Sequence, residues 1–370
     1  MDAHLILVIV IVTALAFDFT NGFHDTANVV ATSISTGAAS PKAAIALAAI
    51  LNFIGAFISI EVAATIASGV VSAEAISEPD ALNIVFAGLM GAIAWNLITW
   101  YYGLPSSSSH ALIGGIVGSA LAAVGTGAIE VEGLVGKVLV PGIIAPVLAF
   151  LVAGAAISIC YRIVNNLRPG PVNRGYRVAQ IASGGLLALA HGTNDAQKTM
   201  GIITLALIAN GSLSATDFEV PTWVVVSSAS AIAAGTYFGG WRIIRTMGSK
   251  IIKMDTAQGF TTQGAGAAVI LASTHFGYPL STTQVISGAV MGSGAGKRLS
   301  AVRWGVAGNI VVAWLLTLPA AAAVGAASYG FTSIFGNDVV GPLLIIVMAS
   351  GLALAMFSRR MRELEAVPGA

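Results

Sequence analysis

The chain has 370 residues, of which 56% are hydrophobic and 9% charged, and its mean hydropathy is +0.88; a soluble protein carries roughly a quarter charged residues. That composition excludes a soluble enzyme and a nucleic-acid binder; the net charge is +1 without a long basic run, and a single cysteine, Cys160, excludes an intramolecular disulfide framework. Its apolar stretches run to about 20 residues rather than alternating as outer-membrane strands do, which predicts an all-α, polytopic membrane protein.

The first apolar stretch, residues 4 to 17, has no basic region before it and continues into Phe17-Asp18-Phe19-Thr20-Asn21 instead of a cleavage site, so it reads as a membrane segment and not a signal peptide. Segments 4–36, 43–66, 83–126 and 139–161 follow, then an Arg-rich stretch from Arg162 to Arg177 that contains Pro169, Gly170 and Pro171. This stretch divides the chain into an N-terminal repeat, 1–161, a linker, 162–178, a C-terminal repeat, 179–357, and a tail, 358–370. By the positive-inside rule the linker is cytoplasmic, with Arg242, Arg245, Lys250, Lys253, Lys297, Arg298, Arg303 and the tail arginines Arg359, Arg360 and Arg362. The loops around Glu74, Glu78 and Asp80, around Glu130 and Glu132, and around Asp217 and Glu219 then lie outside. In the C-terminal half, 179–210 cross outward, 222–240 return, 262–297 leave and rejoin the inner face, and 339–357 add a crossing. The N-terminus is placed outside and the C-terminus inside a cell membrane.

Two motif pairs recur in order. Asn21-Gly22-Phe23-His24-Asp25-Thr26-Ala27-Asn28 matches His191-Gly192-Thr193-Asn194-Asp195-Ala196-Gln197-Lys198 at an offset of 170, and the run from Gly103 to Leu112 matches Gly277 to Ile286 at an offset of 174. With the charge pattern, these predict inverted-topology repeats. Segments 262–297 and 83–126 read as re-entrant hairpins, because arms of about 15 residues span only ~22 Å of a ~30 Å core. Segments 4–36 and 179–210 are too long for one straight crossing and polar at their middles, so they are expected to be broken helices facing the interior.

Asp25 and Asp195 fall at equivalent intramembrane positions, where an unpaired carboxylate costs at least ~2.5 kcal/mol. A cation or a proton would neutralise them; capping of a helix break, or pairing with Lys198, is the plainer alternative. Ser106 to Ser109 and Ser281-Thr282-Thr283 follow prolines and open Gly-rich helices, which is the chemistry of an anion site at a helix N-terminus and equally that of ordinary capping. Asn28 stands opposite Lys198 in the repeat, so a lysine ammonium takes the place of a carbonyl that could coordinate a cation. His24 and His191 are read either as proton-exchanging groups or as hydrogen-bond partners of a neighbouring helix, the second being the role expected of His110. Thr26, Thr193, Asn194 and Gln197 are site donors by proximity only, and Gly114 with Gly118 is a packing motif. No Walker A loop, CxxC or HExxH occurs. A serine hydrolase built on Ser106 to Ser109 with His110 has poor geometry, since adjacent helical residues point apart.

On NGFHDTANVVAT, HGTNDAQKTMG, PSSSSHALIGGIVGS and PLSTTQVISGAVMGS the chain resembles the inorganic phosphate transporter family over nearly its whole length. The resemblance implies a phosphate permease, no enzyme, acting by alternating access as a homodimer in the lipid bilayer. It implies phosphate contacts from Asp25, Asn28, Asp195, Ser107, Ser108, Ser109, Ser281, Thr282 and Thr283, joined by Lys198 from the residue-level reading, and coupling-ion or proton contacts from Asp25, Asn28, Asn194 and Asp195. Gln197-Lys198 departs from the asparagine-bearing form of sodium-coupled members and resembles the bacterial low-affinity branch, which is proton-coupled and takes phosphate largely as a neutral complex with a divalent metal. A sodium-coupled symporter and a sulfate permease are the alternatives within the family, and an anion channel the alternative outside it.

Overall fold

The computed structural model describes residues 2–70, 81–214, 218–336 and 339–365, and no strand occurs among them. In chain order the helices are α1 (Asp2–Ser35), α2 (Pro41–Gly55), α3 (Glu61–Ser68), α4 (Ala81–Tyr102), α5 (Ser108–Ala123), α6 (Val131–Gly133) and α7 (Val140–Val164). They continue with α8 (Pro169–Ala209), α9 (Thr222–Phe238), α10 (Trp241–Arg245), α11 (Thr256–His275), α12 (Thr282–Lys297), α13 (Trp304–Ser333) and α14 (Val340–Glu365). Five described helices are long and apolar enough to cross a membrane. Those at the periphery turn bare aliphatic side chains outward, as at Ile143 on α7, Leu315 on α13 and Leu354 on α14, each about 70% exposed; only a lipid or protein surround suits such faces. The protein is thus a multi-pass membrane protein. α13 lies within residues 298–338, to which the charge pattern assigns no crossing. Glu74, Glu78, Asp80 and Asp217 lie outside the described residues, as do the side chains of Arg360 and Arg362.

The expected helix breaks are absent. α1 runs 34 residues and α8 runs 41 without interruption, about 50 and 60 Å at the helical rise. Neither has a proline inside its polar middle, and Gly22 and Gly192, which looked like breakers, serve close packing instead: a Cβ on Gly22 would strike the Ile232 carbonyl, and one on Gly192 the Asn52 carbonyl. Polarity at membrane depth marks the face turned to the interior, and an intact helix satisfies its own backbone there. The Arg-rich stretch is mostly helix too, since Pro169 and Pro171 fall in the first turn of α8, where a missing N–H costs nothing; only 165–168 lie between α7 and α8.

Both hairpins form, α4 with α5 and α11 with α12. Gly103 and Gly277 turn them in the left-handed region, at φ +67° and +71°, which glycine alone enters without strain. The arms that leave the tips have 16 residues each, close to expectation, whereas α4 has 22 and α11 has 20. α11 starts earlier because Asp255 and Gln258 form a capping box.

The halves interlock. α1 lies on α9 and α8 on α2, while α5 lies on α13 and α12 on α7. The contacts correspond pair by pair: Gly235 abuts the Phe19 carbonyl as Gly55 abuts that of Leu189, and Gly114 and Gly118 meet Leu318 and Ala322 as Gly288 and Gly292 meet Pro146 and Phe150. Each of the two apolar cores therefore draws helices from both halves, and where they meet, the middles of α1 and α8 face the hairpin tips.

Candidate substrate site at the hairpin tips

α1 and α8 present their polar faces to the first turns of α5 and α12. Ser107 and Ser281 are the N-caps, their hydroxyls accepting from the amides of His110 and Gln284, so these two hydroxyls do ordinary capping work. The next residue in each tract points at the carboxylates. Ser108 donates to Asp25 Oδ2 at 2.9 Å, and Thr282 bridges Asp25 Oδ2 and Asp195 Oδ2 at 3.4 and 3.5 Å. Thr283 donates to Asp25 Oδ1 at 3.2 Å and accepts from Asn28 Nδ2 at 2.9 Å. Ser109 instead donates to the Leu280 carbonyl at 2.7 Å, tying one tip to the other.

Each aspartate has its own partners. His24 Nδ1 lies 2.7 Å from Asp25 Oδ1, and its Nε2 faces Thr99 at 3.2 Å and Ser106 at 3.4 Å. Lys198 Nζ donates to Asp195 Oδ1 at 2.6 Å with both groups fully buried, while Asn21 Nδ2 and His191 Nε2 each lie 3.4 Å from Asp195 Oδ2. The pairing of Lys198 with Asp195 weighed from the sequence is therefore formed, and the symmetry is broken as the residue types require. Asp25 is held by hydroxyls and an imidazole, Asp195 by an ammonium. Ligand atoms of Asp25, His191 and Asp195 lie within 4.8 Å of one another, a spacing that a cation could bridge.

Other residues named from the sequence are placed elsewhere. Asn194 donates to Thr274 at 2.8 Å and to the Tyr278 carbonyl at 3.2 Å, facing the flank of the hairpin. Gln197 accepts from the amides of Val62 and Ala63, capping α3, and Thr26 and Thr193 bond back to their own helix. His110 packs against Gly142 and its repeat partner Gln284. Beside the first hairpin tip, though not among those candidates, Trp100 packs at a tilt against Phe23, and Tyr101 lies beneath Arg242.

Three participants were not singled out from the sequence. Thr99 orients His24, Asn52 holds His191 Nδ1 at 3.2 Å, and Asp18 is wholly buried one helical stretch below Asp25. An ionisable residue inside an apolar segment was signal enough for Asp18; a lone Thr or Asn on a helix carries no comparable mark. The site as a whole is an enclosed set of hydroxyl donors and two helix N-termini around two carboxylates, able to hold an oxyanion together with cations or protons.

The chain as a whole is similar to known proteins. The family model for the phosphate transporter family matches residues 21–325. A "probable low-affinity inorganic phosphate transporter" of Mycobacterium bovis is 56% identical over 352 residues, covering 94% of this chain and 84% of its own. A protein of the same description from Bacillus subtilis is 46% identical over 331 residues, covering 89% and 98%. A solved structure entitled "The sodium-dependent phosphate transporter" superposes with a TM-score of 0.79 at 25% identity, covering 89% of this chain and 99% of that one.

Proposed function

The chain belongs to the phosphate transporter family, and from that premise we propose that it imports inorganic phosphate across the cell membrane by alternating access, coupled to protons. The observation that carries the coupling is the Lys198–Asp195 pair. An ammonium held 2.6 Å from the carboxylate, with no exposure to water, supplies the positive charge that a bound sodium ion would otherwise bring to that half of the site. Phosphate, free or as a neutral complex with a divalent metal, would be held by Ser108, Thr282 and Thr283, the first-turn amides of α5 and α12, and Asn28. Ser107 and Ser281 shape those turns as caps. Asp25 and Asp195 then accept hydroxyl donors now and face protonated phosphate or its metal when loaded.

The paired contacts of α1 on α9 and α8 on α2 support two repeats of opposite orientation, N-terminus outside and C-terminus inside, that exchange access by rocking. The bare faces of α7, α13 and α14 suit lipid and a second copy, hence a homodimer. An inward proton gradient imposed on liposomes holding the purified protein should drive uphill uptake of labelled phosphate, with sulfate a weak competitor. A downhill flux that never accumulates would favour a channel.

A further inference from the structure

Of the three buried carboxylates among the described residues, Asp25 and Asp195 have partners at the tips, and Asp18 has none. Asp18 lies two turns before Asp25 on α1, on the face that also carries Asn21 and Asn28. It is 0% exposed, and neither of its oxygens accepts a hydrogen bond of normal geometry. Asn21 and Thr199 are polar side chains beside it. Asn21 Oδ1 and Thr199 Oγ1 are themselves buried and unpartnered, while the Asn21 amide reaches toward Asp195.

An ionised carboxylate offers Asn21 Oδ1 nothing, because it has no hydrogen to give. A neutral carboxyl gives one: its O–H can donate to Asn21 Oδ1 while its carbonyl oxygen accepts from the Thr199 hydroxyl, and both Asp18 oxygens, Asn21 Oδ1 and Thr199 Oγ1 are satisfied together. The surrounding charges agree. The charged groups acting on Asp18 are Asp195 and Lys198 of α8, and the Lys198 ammonium is engaged by Asp195. His191 also faces Asp195, and His24 faces Asp25. α4 and α9, which share this core, carry no Asp, Glu, Lys, Arg or His, and Glu61 of α3 is exposed. A proton on Asp18 removes its charge and supplies the one donor that Asn21 Oδ1 lacks.

We propose that Asp18 is the binding site of the coupling proton, distinct from the carboxylates that face phosphate, an assignment that rests on the proton-coupled reading above. The proton binds one Oδ when the site is open outside and leaves that oxygen when it is open inside. Asn21 links the two sites, because an ionised Asp18 competes with Asp195 for the Asn21 amide and a neutral Asp18 does not.

The test uses the full chain in liposomes, wild type beside D18N. Wild type should accumulate labelled phosphate under an inward proton gradient. D18N should lose that accumulation yet still exchange labelled for unlabelled phosphate at equal pH, with the pH dependence of exchange flattened. Independently of transport, infrared difference spectra on acidification should show a protonated-carboxyl stretch in wild type that D18N lacks. Persistence of that band, or wild-type accumulation, in D18N overturns the assignment, and the band decides the matter even if D18N transports nothing. Failure of wild type to respond to protons, with a response to sodium, overturns the coupling reading itself.

Discussion

Asp25 and Asp195 are equivalent in the repeat, but their surroundings assign them different electrostatics, and substitutions should separate them. Asp25→Ala and Asp195→Ala should each abolish phosphate uptake while the protein still reaches the membrane in folded form, measured by uptake beside size-exclusion profiles. In Asp195→Ala the damage extends further, because it leaves Lys198 as an unpaired buried cation, costing roughly 3–5 kcal/mol; its thermal stability should fall below that of Asp25→Ala. Lys198→Asn restores the carbonyl that stands at Asn28 in the other half, so sodium should stimulate its uptake where it leaves the wild type unmoved. Lack of any sodium response in that variant would remove Lys198 from the coupling argument. At this scale the sequence was informative wherever a residue type was anomalous for its surroundings, as with both aspartates and Lys198. It was silent on direction: nothing in Ser106 to Ser109 told that Ser108 would face Asp25 while Ser107 capped and Ser109 reached Leu280, because that is decided by the phase of a helix that begins inside the tract.

Among the elements, the hairpins are legible in the sequence because turn glycines, prolines and hydroxyls recur at fixed spacing, whereas the expected helix breaks do not form. Length and mid-membrane polarity suggest interruption, but without proline the helix holds, and its glycines meet neighbouring backbones. That packing makes a prediction. A methyl at Gly118 or Gly292 would run into the carbonyl of Ala322 or Phe150, and such overpacking costs about 1–3 kcal/mol. Gly118→Ala and Gly292→Ala should therefore lower the unfolding temperature in detergent by similar amounts, since they stand at matching contacts. The α11 cap carries a pH dependence. Burial raises the Asp255 carboxyl, but the Tyr161 hydroxyl at 2.5 Å, the Gln258 amide and the Lys297 ammonium at 3.0 Å outweigh it and hold the group below the usual carboxylate range. A depressed carboxyl stabilises the fold fully above its unfolded value of about 3.9 and loses that contribution as pH falls through the folded value. Melting curves should accordingly show an acid-side loss of stability that is smaller in Asp255→Asn.

For the molecule as a whole, the interlocking of halves explains why one site can belong to both. α1 and α5 bring Asp25 and Ser108, α8 and α12 bring Asp195 and Thr282, and Thr282 touches both carboxylates, so a movement of either half alters the partners of each aspartate. An exchange between two such arrangements gives the alternating access proposed here. The most direct test of the central claim is accumulation of labelled phosphate in liposomes containing the purified protein, with an inward proton gradient and sodium absent. Internal phosphate should rise above the external level and collapse when a protonophore is added; equilibration without accumulation, or accumulation that requires sodium, would contradict proton-coupled import.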